Sequence, residues 1–239
     1  MLLSGHQPVY LPGIILFNKI AISDAFMFVG HCQNVVNSWH TRNKIRVGGS
    51  SCYLSVPVKR AKRFPQSINE TEIANMHWRR KHLLSIKQNY GKRPYFDVYF
   101  PKLEAMLMSD WATLGDMDIA IIKSIMEWLD IRTPVLDSRD YKIEGHRTDM
   151  IISMCRAAGA DEFICNEGSR SYLKEEQLAE AGIQHYWQVF EHPVYDQGKP
   201  FIENLSIIDL LFNVGEVSRE IVFSCGHAEP GPYRPKVLV

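Results

Sequence analysis

His6, Gln7 and Tyr10 stand in a turn-rich stretch, Ser4-Gly5-His6-Gln7-Pro8, that runs on through Pro12 and Gly13. An imidazole exchanges protons near neutral pH. An amide and a phenol beside it can orient a polar substrate. Pro8 and Pro12 hold φ at about −65° and stiffen the segment. Four further groups carry chemistry. Trp39, His40, Arg42, Asn43, Lys44 and Arg46 are basic and aromatic. They suit a diphosphate with a stacked base or sugar, or else a charged β-edge in solvent. Trp78 and His82 are four apart and share a helix face, with Arg79, Arg80 and Lys81 beside them. That helix either closes over a polar ligand or presents charge to water. Asn166-Glu167-Gly168-Ser169-Arg170-Ser171-Tyr172 joins a strand to a helix. Its backbone N–H groups suit a phosphate or carboxylate; as a plain turn it would use Ser171 as the N-cap. Ser206, Asp209 and Asn213 draw one polar stripe along a helix that is otherwise apolar, and a buried stripe must meet polar partners or a ligand.

These residues need a scaffold, and the hydrophobic pattern outlines one. Met1 to Leu3 reads as a strand, the stretch up to Ile20 as a loop and a helix containing Lys19, and Asp24 to Gly30 as a second strand. Arg42 to Val58 reads as a β-hairpin turning at Gly48-Gly49, and Lys59 to Glu72 as a loop with Pro65. Three helices follow, over Met76–Tyr90, Tyr95–Met108 and Leu114–Asp130. Strands at Thr133–Leu136, Glu162–Cys165 and Gln184–Val189 then alternate with helices at His146–Ala158 and Leu173–Ala181. The tail from Gly226 is expected to be extended. This rhythm predicts an α/β fold: a mostly parallel, five-stranded, Rossmann-like sheet with an inserted β-hairpin and a helical section. The 239 residues are expected to form a single domain, with 33–130 as the insertion. Loops after parallel strands collect at the carboxyl edge of such a sheet, where ligands bind. His6 and the turn at Gly168 would meet there.

Composition narrows the function. The 27 basic residues balance 27 acidic ones, which disfavours nucleic acid as a partner. Five scattered cysteines without a CxxC pair fit a reduced, cytoplasmic protein. No secretory leader and no membrane span is expected. Metal is discounted, because His31-Cys32 and Cys225-Gly226-His227 lack finger spacing. Neither Cys32 nor Cys165 has an assignable base.

Strand, histidine-bearing turn, helix and second strand is also the layout of HxGH-type nucleotidyl transferases, although only His6 is present and Gly13 stands at the helix start. The chain as a whole resembles another group. HQPVYLPGIILFNKI, DAFMFV with Gln33, RNKI, SVPV, HWRRKH with Tyr90, GADEFICNEGSRSYL, VYDQ ending in Gln197, and LSIIDLLFNVG occur in order. Together they resemble the WbqC-like family of bacterial O-antigen and polysaccharide gene clusters. The chain departs from it at Gly30 and His31, where members tend to be acidic, and at Asn166 and Glu167. The resemblance implies acyl or aminoacyl transfer, glycyl included, to the amino group of a nucleotide-linked amino sugar. His6 or His82 would be the general base. Arg42, Lys44 and Arg79 would hold the diphosphate, and the Gly168–Ser171 stretch would steady the oxyanion. Gln7, Tyr10, Lys19, Gln33, Asn43, Trp78, Asn166, Ser169, Tyr172, Gln197, Asp209 and Asn213 complete the substrate contacts. The donor is expected to be an acyl-CoA or aminoacyl ester, or else ATP activates a free acid. A non-catalytic nucleotide-sugar-binding protein is the alternative.

Overall fold

The computed structural model describes residues 1–35, 37–59 and 66–235. Residues 60–65 of the basic loop and 236–239 of the tail lie outside them. In chain order the elements are β1 (Leu2–His6), α1 (Ile14–Ala21), β2 (Ala25–Phe28), β3 (Arg42–Val47), β4 (Ser50–Ser55), α2 (His77–Tyr90), α3 (Phe96–Met108), α4 (Leu114–Trp128), β5 (Val135–Asp137), α5 (Thr148–Ala158), β6 (Glu162–Cys165), α6 (Glu175–Glu180), β7 (Gln184–Phe190), α7 (Ile207–Val214), α8 (Ser218–Ser224) and β8 (Gly226–Pro230).

The main sheet has the order β5-β2-β1-β6-β7-β8. The pairings among its first five strands are parallel. β8 pairs antiparallel to β7. The mixed α/β architecture is as expected, but the sheet has six strands rather than five. The sixth comes from the stretch read only as extended. Its sequence, GHAEP, has no apolar alternation because no residue of this edge strand is fully buried, so the period-two signal is missing. Several boundaries also move. The helix read from Leu173 begins at Glu175, with Lys174 rather than Ser171 before it. The hairpin's second strand stops at Ser55.

Alternation along the strands sends side chains to two cores. Leu3, Met27, Phe163 and Trp187 pack with Ile151, Met154 and Leu178 of α5 and α6. Phe26 and Phe28 join α1, α7, α2, α3, α4 and the hairpin in the larger core. Both faces of the sheet are therefore covered, as a parallel sheet requires.

One core position breaks the apolar rule. Asp118 of α4 is fully buried, and among the described residues neither carboxyl oxygen has a hydrogen-bond partner. Burial pushes its pKa well above the ordinary carboxylate value of 3.8. The folded state thus holds this proton to higher pH than the unfolded chain does. The stability it permits is complete below about 3.8 and is lost as pH rises toward the folded value. Asp118→Asn should flatten that decline in urea titrations run at successive pH values.

Candidate active site

β1 lies between β2 and β6. The chain leaves β1 through α1 to reach β2, and leaves β6 through α6 to reach β7, on the other side. Strand order reverses between β1 and β6, and a crevice opens there at the carboxyl ends. His6 ends β1, and Asn166 follows β6 directly. A cavity of about 690 Å³ occupies the crevice, lined among others by His6, Lys19, Asn43, Asn166, Gly168 and Gln188. A narrower chamber of about 220 Å³ shares His6, Lys19 and Asn166 with it and adds Gln7, Ser169 and Tyr172. The two chambers meet at the histidine and the lysine.

The His6 ring is fixed by backbone. Its Nδ1 lies 2.7 Å from the Gln7 carbonyl oxygen. A carbonyl only accepts, so Nδ1 carries the proton and Nε2 keeps its lone pair. Desolvation, with Lys19 nearby, lowers the pKa of His6 to about 4. At neutral pH the ring is an uncharged base. Gln7 is oriented in turn by His40, whose Nε2 lies 2.7 Å from Gln7 Oε1. Lys19 is 2% exposed. Its Nζ donates to the Gly5 carbonyl at 3.0 Å, and burial lowers its pKa to about 8. Of three ammonium donors, two have no protein acceptor among the described residues.

The helix α1 begins at Gly13 with no side-chain cap. Ile14 and Ile15 of its first turn line the wide cavity. Their N–H groups have no intrahelical acceptor, and the positive end of the helix dipole suits an anion. The hairpin closes this side. Asn43 Nδ2 donates to the carbonyls of Leu11 and Tyr10 at 2.8 and 3.2 Å. Trp39 lines the mouth.

Other candidates lie elsewhere. His82 is buried behind the opening loop, with Nδ1 2.9 Å from the Tyr10 hydroxyl and Trp78 edge-on at 4.8 Å. Its pKa falls to about 4 by desolvation. Arg79 is buried rather than solvent-facing, and donates to the Met108 carbonyl at 3.0 Å. Arg42 and Lys44 sit over the Tyr53 ring at 4.4 and 5.4 Å, on the hairpin. Gln33 is exposed and bridged to Ser67. Ser171 is exposed and lines neither chamber. Gln197 accepts from Arg46 Nη1 and Ile202 N, both at 2.9 Å.

The polar stripe of α7 meets protein. Asp209 accepts from the hydroxyls of Tyr90 at 2.8 Å and Tyr195 at 2.9 Å. Asn213 Nδ2 donates to the Asp209 carbonyl at 2.7 Å. Tyr90 also accepts from the Arg46 backbone N–H at 2.8 Å, so the network ties α2, α7 and the hairpin together. Asp209→Ala would leave two buried hydroxyls unpaired. It should lower stability by about 3 kcal/mol in urea unfolding, while Asp209→Asn should lose less.

Some wall residues carry a sequence signal that pattern reading passes over. Gln188 is a buried polar residue between Trp187 and Val189, and its Nε2 donates to Asn18 Oδ1 and the Ile15 carbonyl. His192 follows the end of β7, where the chain regains the carboxyl edge just as at His6. Arg170 stacks on Trp187 at 4.0 Å and pairs with Glu167.

The profile of the WbqC-like protein family matches residues 7–221, which takes in the opening turn from Gln7 onward, with His6 just before the matched span, and then the hairpin, the loop after β6 and α7. The chain belongs to the WbqC-like protein family. Another protein it resembles is the uncharacterized protein Rv1507c of Mycobacterium tuberculosis (strain ATCC 25618 / H37Rv). The two are 29% identical over 224 residues, which is 92% of this chain and 96% of that protein. No solved structure matches. No helix among the described residues of this WbqC-like protein is long and apolar enough to cross a membrane. Among the same residues no group of three or more His, Cys, Asp and Glu side chains is placed to hold a metal ion.

Proposed function

We propose that this WbqC-like protein is an N-acyltransferase that forms an amide on the amino group of a nucleotide-linked amino sugar during bacterial surface-polysaccharide biosynthesis. One observation carries the reading. An uncharged imidazole with an open Nε2 stands where a wide chamber and a narrow one meet. Two substrates of unequal size need such a junction.

The wide chamber suits the nucleotide sugar. Its volume lies within the range of small-molecule sites, the start of α1 favours phosphate, and Trp39 offers a ring for stacking. In the reaction the sugar amine attacks the carbonyl carbon of an activated acyl donor, a thioester or an ester. The new C–N bond forms, and the carbonyl π electrons move onto oxygen. His6 Nε2 takes the proton released by the nitrogen. The oxyanion collapses, the C–S or C–O bond breaks, and the leaving group receives that proton from His6. The products are the amide and a free thiol or alcohol. A base with a conjugate acid near 4 removes a proton effectively only after the nitrogen has become acidic through bond formation. His6 therefore acts on the tetrahedral adduct rather than on the free ammonium. ATP is not needed when the acyl group arrives activated.

A thermal-shift panel of UDP- and dTDP-linked amino sugars, acyl-CoAs and ATP tests this. Ligands near a hundredfold their Kd stabilise the native state by about 2.7 kcal/mol, a rise of about 5–10 °C for a chain of this size. The amino-sugar nucleotides and at least one acyl-CoA should give such a rise. A rise with ATP and a free carboxylic acid but with no acyl-CoA would overturn the transferase reading in favour of a ligase.

A further inference from the structure

We infer that the narrow chamber is the acyl pocket, that Lys19 donates a hydrogen bond to the acyl carbonyl oxygen, and that the group it admits is short and bears no ammonium. The inference rests on the acyl-transfer reading above and gives the donor a chemical class.

Size comes first. At about 220 Å³ the chamber has roughly a third of the volume of the wide one. That is room for a short acyl chain and too little for a long fatty one. The inner wall is apolar, made by Val29, Ile151, Met154 and Phe163, so the tail of the acyl group would be desolvated there. The end that joins the wide chamber is polar, with His6, Lys19 and Asn166 common to both. A carbonyl placed at that junction meets the two ammonium donors that Lys19 leaves open. It also lies beside the base that serves the attacking amine.

Charge comes second. The described lining contains Lys19 and Arg147 and no acidic residue. An aminoacyl group would bring its ammonium beside the buried Lys19, with Arg147 on the exposed rim and no carboxylate in the lining. Like charges brought together away from water are costly. Acetyl, propionyl or butyryl groups meet no such penalty. The chamber thus selects against glycyl and other aminoacyl donors.

The wall itself limits the length. A methyl group at Gly5 would fall on Met154 Cε, and both residues line the chamber, so Gly5→Ala adds a methyl to the wall and forces that thioether to shift. Met150 also lines the chamber and is only half-buried, which leaves its substitution tolerable for the fold.

The test is calorimetric titration of the full-length protein with acetyl-, butyryl-, hexanoyl- and glycyl-CoA, and separately with a UDP-linked amino sugar. In the wild type, butyryl-CoA should bind at least about tenfold more tightly than glycyl-CoA. Met150→Trp should weaken butyryl-CoA about tenfold and leave the nucleotide sugar within about twofold. Gly5→Ala provides a second obstruction with the same expected split, should the larger side chain disturb folding. Lys19→Met should weaken acyl-CoA binding, and Lys19→Arg should restore part of it. Glycyl-CoA binding as tightly as butyryl-CoA would overturn the inference and leave the acyltransferase reading standing. So would obstruction that weakens only the nucleotide sugar. Failure of every acyl-CoA to bind the wild type would remove both.

Discussion

Alanine at position 6 should lower kcat/KM for amide formation by about 10²–10⁴-fold, the usual contribution of a positioned general base. The melting temperature should barely move, because His6 is only partly buried and its one hydrogen bond goes to the adjacent carbonyl. The loss belongs in kcat rather than in KM for the nucleotide sugar, since the imidazole acts after the C–N bond has begun to form. His82→Ala is the control. That ring is buried 2.9 Å from the Tyr10 hydroxyl and outside both chambers. Its loss should destabilise the protein and leave kcat in the folded fraction close to wild type. Steady-state kinetics with thermal melts on both variants separates a chemical role from a packing one.

The second large effect is a pair of opposite changes at Lys19. Lys19→Met should reduce turnover at least about a hundredfold, as removal of an oxyanion donor does elsewhere. It should also raise stability, by about 2 kcal/mol in urea unfolding, because a desolvated ammonium is replaced by an apolar chain of similar length. The pH dependence carries the same information. Burial lowers the lysine from its ordinary 10.5 to about 8 in the folded protein, so between those values the unfolded chain binds the extra proton. Wild-type stability relative to Lys19→Met should therefore rise with pH from about 8 to 10.5. Turnover relative to Lys19→Arg should fall across pH 8, since the guanidinium stays charged there. A stability difference that does not change with pH would show that Lys19 keeps its ordinary ionisation.

The scaffold was legible in the sequence wherever apolar period and turn residues agree. The parallel strands, the hairpin and the helices α2 to α5 all announce themselves in this way. β8 did not, because no residue of an edge strand reading GHAEP is fully buried. His6, Asn166 and Gly168 were readable because they follow strands, and the carboxyl edge of a parallel sheet gathers such residues. The sequence marks Lys19 only by its place near the opening turn. Helical periodicity gives no hint that its ammonium reaches back to the Gly5 carbonyl. Trp78, Arg79 and His82 were ambiguous for a related reason. A polar helix face normally meets water, yet here the loop after β1 and the α3–α4 corner cover it. The basic residues of the hairpin illustrate a further limit. Arg42 and Lys44 pair with the cross-strand ring of Tyr53, and that register becomes visible only once the strands are aligned.

The most direct measurement is mass-spectrometric detection of an N-acylated sugar nucleotide after the purified protein is incubated with a UDP-linked amino sugar and butyryl-CoA. The expected result is a product heavier by one butyryl group, with one equivalent of free thiol released and no ATP present. The same mixture with His6→Ala should show it reduced to trace. Product formed equally by His6→Ala and wild type would contradict the assignment of the reaction to the crevice between β1 and β6.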